Sequence, residues 1–202
     1  LNTKSHNIIY TIGHSNLEIA DFLALLKAAG VQVLVDIRSA PYSKYVSQYD
    51  YVTFHTAVEQ GGIEYCYLGR ELGGRPEDDT FYDAEGRVLY GEYKDTPEFK
   101  AGIEKLVEIS RAKLAAVICS EENPIHCHRR LLVGRYLAEL GCEIRHIRRG
   151  GVIQSERDLL DDERIKKFGA LQENLFDSDE ALGWKSIPSV SPARVRNSFS
   201  GS

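Results

Sequence analysis

The sequence predicts an α/β domain of three layers, a mainly parallel sheet of about five strands flanked by helices. Two observations carry that reading. Short apolar runs of strand length alternate with longer stretches whose apolar residues recur at helical spacing, and the alternation repeats along residues 8–147. Strands alternating with helices imply βαβ units, right-handed crossovers and a sheet covered on both faces. Size agrees: 202 residues, 43% hydrophobic and 27% charged, suffice for one core and give no reason to divide the chain.

In chain order, Ile8 to Ile12 reads as the first strand. Asn16 can cap a helix through Leu17, Phe22, Leu25 and Leu26, which Gly30 can stop. Val31 to Ile37 supplies a second strand, Tyr51 to Gln60 a second helix, and Ile63 to Leu68 a third strand after the punctuation of Gly61-Gly62. The stretch from Arg70 to Tyr93, with Gly73-Gly74, Pro76 and several aromatics, is too long for a routine connection and reads as a folded loop or lid. Pro97 opens a helix through Phe99, Ile103, Leu106 and Val107. Leu114 to Ile118 is a buried fourth strand, Leu131 to Leu140 a helix, and Glu143 to Ile147 a short fifth strand. The predicted α/β domain thus occupies residues 1–150. After Gly150-Gly151 an acidic amphipathic stretch, Glu156 to Phe176, predicts one or two helices on the domain edge, so that 151–184 form an appendage. Residues 185–202, rich in Ser and Pro, are expected to be a mobile tail.

The densest chemistry lies in Cys119-Ser-Glu-Glu-Asn-Pro-Ile-His-Cys127-His128-Arg129-Arg130, a predicted strand-to-helix turn. In open parallel sheets ligands bind beyond the carboxyl ends of the strands, and here those ends are polar. They read Gly13-His14-Ser15-Asn16, Asp36-Ile-Arg38-Ser39, Gly69-Arg70 with Gly73-Gly74-Arg75, and Cys119-Ser120-Glu121. His146, Arg148 and Arg149 follow the fifth strand. A net charge of −5 argues against broad electrostatic binding of nucleic acid, yet leaves room for a local basic rim. Arginines on such a rim suit a phosphate, a carboxylate or a sulfur oxyanion. The opposing reading is a structural ion-pair network in which Asp36 and Glu121 neutralise the same arginines.

Cys127, at a predicted helix N-terminus beside His126, His128 and Arg129, is the leading nucleophile, because those surroundings lower a thiol's pKa. Cys119, at a buried strand end, takes a supporting or resolving part. His14 in its Gly-His-Ser turn is either an acid–base group or a turn residue bonded to its own backbone. A tyrosine-phosphatase arrangement fails on spacing, since the sixth residue after Cys119 is Ile125 and after Cys127 is Val133, not Arg. No residue is assigned as a metal ligand; a competing reading brings Cys119, Cys127, His128 and His14 to one ion, although their spacing matches no standard zinc finger. Cys66 and Cys142 read as core thiols, and His6 and His55 as surface residues.

Together, Tyr10-Thr-Ile-Gly-His-Ser-Asn16, Leu34-Val-Asp-Ile-Arg-Ser-Ala-Pro41, Tyr67-Leu-Gly-Arg-Glu-Leu-Gly-Gly-Arg75 and Cys119-Ser-Glu-Glu-Asn-Pro through Cys127-His-Arg129 resemble the domain of unknown function 488 family, from about Ile8 to Ile147. The resemblance implies an intracellular α/β domain. It singles out His14, Ser15, Asp36, Arg38, Arg70, Gly73, Gly74, Arg75, Cys119, Cys127, His128 and Arg129, and it supplies no reaction.

The expected function is an enzyme of the cysteine-dependent hydrolase or transferase kind. Cys127, His128, His14 and Asp36 would do the chemistry. Ser15, Arg38, Arg70, Gly73, Gly74, Arg75, Cys119, Glu121 and Arg129 would hold an anionic small molecule or nucleotide. The cofactor and the oligomeric state are left open. One alternative is a module that binds a nucleotide or nucleic-acid end without turnover, with Tyr42, Lys44, Tyr45 and Tyr49 for stacking and phosphate contacts. The other is a Cys/His metal-binding protein. No apolar run approaches bilayer-spanning length and residues 1–6 lack a signal-peptide core, so no membrane contact and a cytoplasmic location are expected.

Overall fold

The structure, a computed structural model, describes residues 7–43, 45–168, 183–187 and 190–192. His6, Lys44, the stretch beyond Phe168 expected to continue the last helix, and most of the expected tail lie outside the described residues.

Strand β1 (Ile8–Gly13) leads into helix α1 (Ile19–Ala28). Asn16 does not cap this helix. Leu17 N–H bonds back to His14 carbonyl at 3.0 Å, an extra turn that leaves Asn16 outside, where its Oδ1 accepts from Arg149. Asp21 in the first turn and Lys27 in the last suit the helix dipole in place of a cap. Strand β2 (Val33–Asp36), helix α2 (Tyr51–Gln60) and strand β3 (Glu64–Tyr67) follow as expected. The excursion from Arg70 is folded: Tyr82 and Val88 form an antiparallel bridge, and a short helix α3 (Tyr90–Tyr93) ends it. In helix α4 (Pro97–Ala112) Thr96 Oγ1 accepts from Phe99 N–H while Pro97 occupies the first turn. Its Phe99, Ile103 and Leu106, four and three residues apart, form the buried face.

Strand β4 (Ala115–Cys119) is buried throughout. The expected helix after it is present, but Arg129–Gly134 is π-helical and only α5 (Arg135–Glu139) is α-helical. Strand β5 (Glu143–Ile147) pairs with β1. A sixth strand, β6 (Ile153–Ser155), was not foreseen: Gly150-Gly151 make a tight turn, closed by Arg148 N–H to Val152 carbonyl, and return the chain antiparallel to β5. Helix α6 (Glu156–Phe168) follows directly.

The sheet order is β3-β2-β4-β1-β5-β6, parallel except for β6. Alternate residues of each strand feed two cores. Leu34, Ala116, Ile118, Tyr10 and Ile12 meet Phe22, Leu26, Phe54 and Val58 of α1 and α2. On the other face Val33, Val35, Val117 and Ile9 meet Phe99, Ile103 and Leu106 of α4 with Leu132 and Leu137. This is the three-layer α/β architecture. Burying Phe22, Phe54 or Phe99, each fully enclosed, contributes about 1.5–3 kcal/mol apiece. At the end of the expected appendage the Trp184 ring lies under the Arg135 guanidinium, and in the expected tail Ser186 N–H bonds to Val88 carbonyl while Ser186 Oγ accepts from Val88 N–H.

A buried polar chain ties α6 to the sheet. Thr11 hydroxyl meets His146 Nδ1 at 2.7 Å, His146 Nε2 meets Glu156 Oε2 at 2.9 Å, and Arg130 Nε donates to Glu156 Oε1 at 2.5 Å. Burial is the main force holding His146 below its ordinary value of 6.5, so the fold keeps it neutral while an unfolded histidine takes up a proton. Its contribution to stability is therefore present above pH 6.5 and lost as the pH falls below that value. Urea denaturation across this range should show a shallower acid decline for His146→Gln than for the unaltered protein; equal slopes would assign the decline elsewhere.

Candidate functional site

The sheet order sets the carboxyl ends of β2, β4 and β1 side by side. The chain leaves β1 and β2 along the face covered by α1 and α2, and leaves β3 and β4 along the face covered by α4 and α5. The connections therefore part on either side of β4, and a crevice opens at its end. A cavity of about 250 Å³ lies there. Its lining includes Cys119, Ser120 and Glu121 after β4, Arg38 and Ser39 after β2, and Gly74 and Arg75 from the excursion.

At the floor, two sulfurs and one imidazole nitrogen converge. His128 Nδ1 is 3.5 Å from Cys119 Sγ and 3.9 Å from Cys127 Sγ, and the three donor atoms all lie within 4.8 Å of one another. The other ring nitrogen, Nε2, is 3.0 Å from the Ile37 carbonyl oxygen. A carbonyl can only accept, so Nε2 carries the proton and neutral His128 turns its bare Nδ1 toward the thiols. Gly74 lies against this ring, where a β-carbon would collide with the imidazole.

The two thiols differ in state. Cys119 is held below the ordinary thiol range, chiefly because the Cys127 thiol donates to its sulfur, with burial opposing and the Arg129 charge assisting. Cys127 is pushed well up, first by burial and then by the same bond to Cys119. Burial alone would pull His128 down, but its contacts with the Cys127 sulfur and the Ile37 carbonyl leave it above its ordinary value.

Beside this centre stands a closed ionic block. Asp36, fully buried, accepts from Arg38 Nε at 2.9 Å, Arg38 Nη2 at 2.5 Å, the Arg38 peptide N–H at 3.0 Å and the Tyr65 hydroxyl at 2.6 Å. Arg38 Nη1 donates to the Tyr49 carbonyl at 2.8 Å and faces His14 Nε2 at 3.4 Å. His14 gives its Nδ1 proton to the Ser15 carbonyl and stacks on Tyr49 at 4.0 Å. Burial, then the Arg38 charge, draw its pKa down to about 4. His14 is thus a neutral acceptor that fixes Arg38.

Arg129 is buried differently. Its Nη1 and Nη2 donate to the carbonyls of Glu121 and Glu122, the latter at 2.6 Å, while Nε has no partner among the described residues. Among the described residues it makes no ion pair. Gly13 allows this, because a β-carbon there would strike the Glu121 carbonyl and crowd the guanidinium. Other rim cations are neutralised: Arg148 by Glu122 at 2.9 Å and Arg130 by Glu156.

Residues 18–136 match the family described as Domain of unknown function DUF488. The chain belongs to this family. The DUF488 match is shorter than the span Ile8 to Ile147, so the Tyr10 to Asn16 motif lies outside it, whereas the β2, β3 and Cys119–Arg129 motifs lie within. No curated protein and no solved structure matches the chain.

In this DUF488 domain the sequence-selected residues divide into two groups. Cys119, Glu121, His128, Arg38, Gly74 and Arg75 line the cavity. Asp36, His14, Ser15, Gly73, Arg70, Cys127 and Arg129 do not; Arg70 is exposed outside it, and Ser15, with a strained φ of 47°, joins its N–H to the Ser120 carbonyl. Three expectations change. The environment of Cys127 raises its pKa, because burial outweighs the helix N-terminus, so the lowered thiol is Cys119. Arg38 and Arg129 spend their donors inside the protein, which leaves Arg75 as the cavity's exposed arginine. The carboxylate partners of the rim arginines are Asp36, Glu122 and Glu156, not Glu121.

Sequence reasoning placed Ser39 on the rim without selecting it, and missed Tyr90, His126 and Ser186 as cavity residues. Ser39 carried a signal, its place after Asp36-Ile-Arg38; Tyr90 and Ser186 carried none, because long-range packing brings them in. Cys66 and Cys142 pack at the edge of the core and are raised mainly by burial. His55 is half-buried and stacks on Tyr65.

Since Asp36 is the carboxylate of a buried pair, Asp36→Asn should cost about 3–5 kcal/mol in chemical denaturation, the penalty of leaving Arg38 uncompensated. A loss under about 1 kcal/mol would mean that Arg38 finds solvent.

Proposed function

We propose that the cavity over Cys119 is an active site and that the protein is an enzyme using a Cys/His/Arg centre on a small anionic ligand. The observation that carries this reading is the buried Arg129 charge, which has no carboxylate partner among the described residues and lies close enough to favour a thiolate on Cys119. Buried charges need an opposite charge, and Cys119 is the group able to become one where a substrate can reach it. In a cysteine-dependent transfer the Cys119 sulfur bonds to the substrate's electrophilic atom. The bond to the leaving group breaks, and that group takes the proton that the Cys127 thiol holds toward Cys119. Arg75 and exposed His126 at the cavity wall support an anionic substrate. A volume of about 250 Å³ suits a small oxyanion or the phosphate end of a nucleotide. Reduced thiols require a reducing compartment such as the cytoplasm.

Capture of a nucleotide or nucleic-acid end without turnover is the second reading. Tyr42 and Tyr45 favour it, since they are 47% and 95% exposed after β2, whereas Tyr49 is buried.

Alkylation of the reduced protein by iodoacetamide at neutral pH, followed by peptide mass mapping, should label Cys119 faster than Cys127 by about tenfold or more. Phosphate, pyrophosphate or nucleoside monophosphates should slow that labelling. Faster labelling of Cys127, or no protection by any anion tested, would overturn the reading.

A further inference from the structure

We propose that Cys119, Cys127 and His128 form the site of a mononuclear zinc(II) ion whose fourth coordination position opens into the cavity. The inference rests only on the cavity being the working site; in the zinc-loaded protein Cys119, Cys127 and His128 serve as metal ligands in place of nucleophile and proton donor.

One catalytic cysteine paired with one histidine would explain a single sulfur beside Nδ1. Here two sulfurs from separate elements, the end of β4 and the start of the following helix, face the same nitrogen. A tetrahedral zinc ion, with Zn–S of about 2.3 Å and Zn–N of about 2.0–2.1 Å, holds its sulfur and nitrogen donors about 3.6 Å apart. The observed separations of 3.5 and 3.9 Å bracket that edge. Metal-bound histidines usually donate their remaining N–H to a carbonyl or carboxylate, which sets the tautomer, and His128 Nε2 does so to Ile37. Gly74 against the ring limits its freedom to swing away. Two soft thiolates with one imidazole favour zinc over a hard, oxygen-seeking cation.

The fourth position follows from the surroundings. His14, the fourth donor expected from sequence, spends Nδ1 on Ser15 and turns Nε2 to Arg38, and it does not join the cluster. Three protein ligands leave the ion open, and Cys119 and His128 line the cavity from which water or substrate would enter. Ion uptake sends any protons on the two sulfurs to solvent, and the two thiolates then balance the 2+ charge. Arg129 stays positive nearby, which favours an anionic fourth ligand: hydroxide or an oxyanion of the substrate.

The test uses the full chain, reduced and stripped of metal, titrated with cobalt(II) and then zinc(II). One equivalent of cobalt should produce sulfur-to-cobalt charge-transfer absorption and the d–d bands of a tetrahedral ion, both abolished by zinc. Cys119→Ser and Cys127→Ser should each lose the charge-transfer intensity of one sulfur, whereas Cys66→Ser and Cys142→Ser should bind as before. If the first two variants do not fold, X-ray absorption of the zinc-loaded unaltered protein should find two sulfurs in the first shell. No stoichiometric cobalt uptake by the reduced protein, or a first shell of nitrogen and oxygen alone, would each overturn the proposal. Metal binding without protection by anions would leave the zinc site standing and remove the anionic substrate.

Discussion

The bond from His128 Nε2 to the Ile37 carbonyl decides what the candidate site can be. It joins the start of the π-helical segment to the chain just after β2, across the end of β4 that lies between them in the sheet. It also chooses the tautomer, because the partner offers no proton. With the ring held on one side by Ile37 and closed on another by Gly74, Nδ1 has one direction in which to point, and both sulfurs lie there. A histidine free to rotate would have left Cys119 and Cys127 bonded to each other but without a nitrogen facing both.

Charge is distributed around this bond with little slack. Asp36 cancels Arg38, Glu122 cancels Arg148, and Glu156 cancels Arg130 while also holding His146. These pairs brace the loops that leave the sheet. Arg129 lacks such a partner among the described residues: carbonyl oxygens occupy its two terminal nitrogens and Nε is left over. A buried guanidinium without a carboxylate is costly, and its charge, after the hydrogen bond from Cys127, helps to hold Cys119 below the ordinary thiol range. Paired arginines and one unpaired guanidinium thus share the rim, and the unpaired one lies beside the thiol whose pKa is lowered.

Much of the fold was legible because its signals are local. Apolar runs marked β1 to β5, and Pro97 marked the start of α4. What escaped depends on partners distant in sequence. Ile153–Ser155 is a three-residue strand with an exposed Ile153, so it has no apolar pattern and exists because β5 has an open edge. At the site, the polar strand ends meet at the crevice beyond β4, yet the states of its thiols could not be read from neighbours in sequence. Next to Cys127 stand His126, His128 and Arg129, which suggested a lowered pKa. In space it is more buried than Cys119 and serves as its hydrogen-bond donor. The arginines misled in the same way, since sequence shows how many cations reach a rim but not how many carboxylates and carbonyls meet them.

The state of His128 can be measured directly by long-range proton–nitrogen correlation of the imidazole rings in the reduced, metal-free protein over a pH series. The geometry requires Nε2 to carry a proton at every pH and Nδ1 alone to change state as the ring titrates. A neutral His128 protonated at Nδ1 would contradict it, because the bond to Ile37 would then be absent and nothing would direct the imidazole toward the two sulfurs.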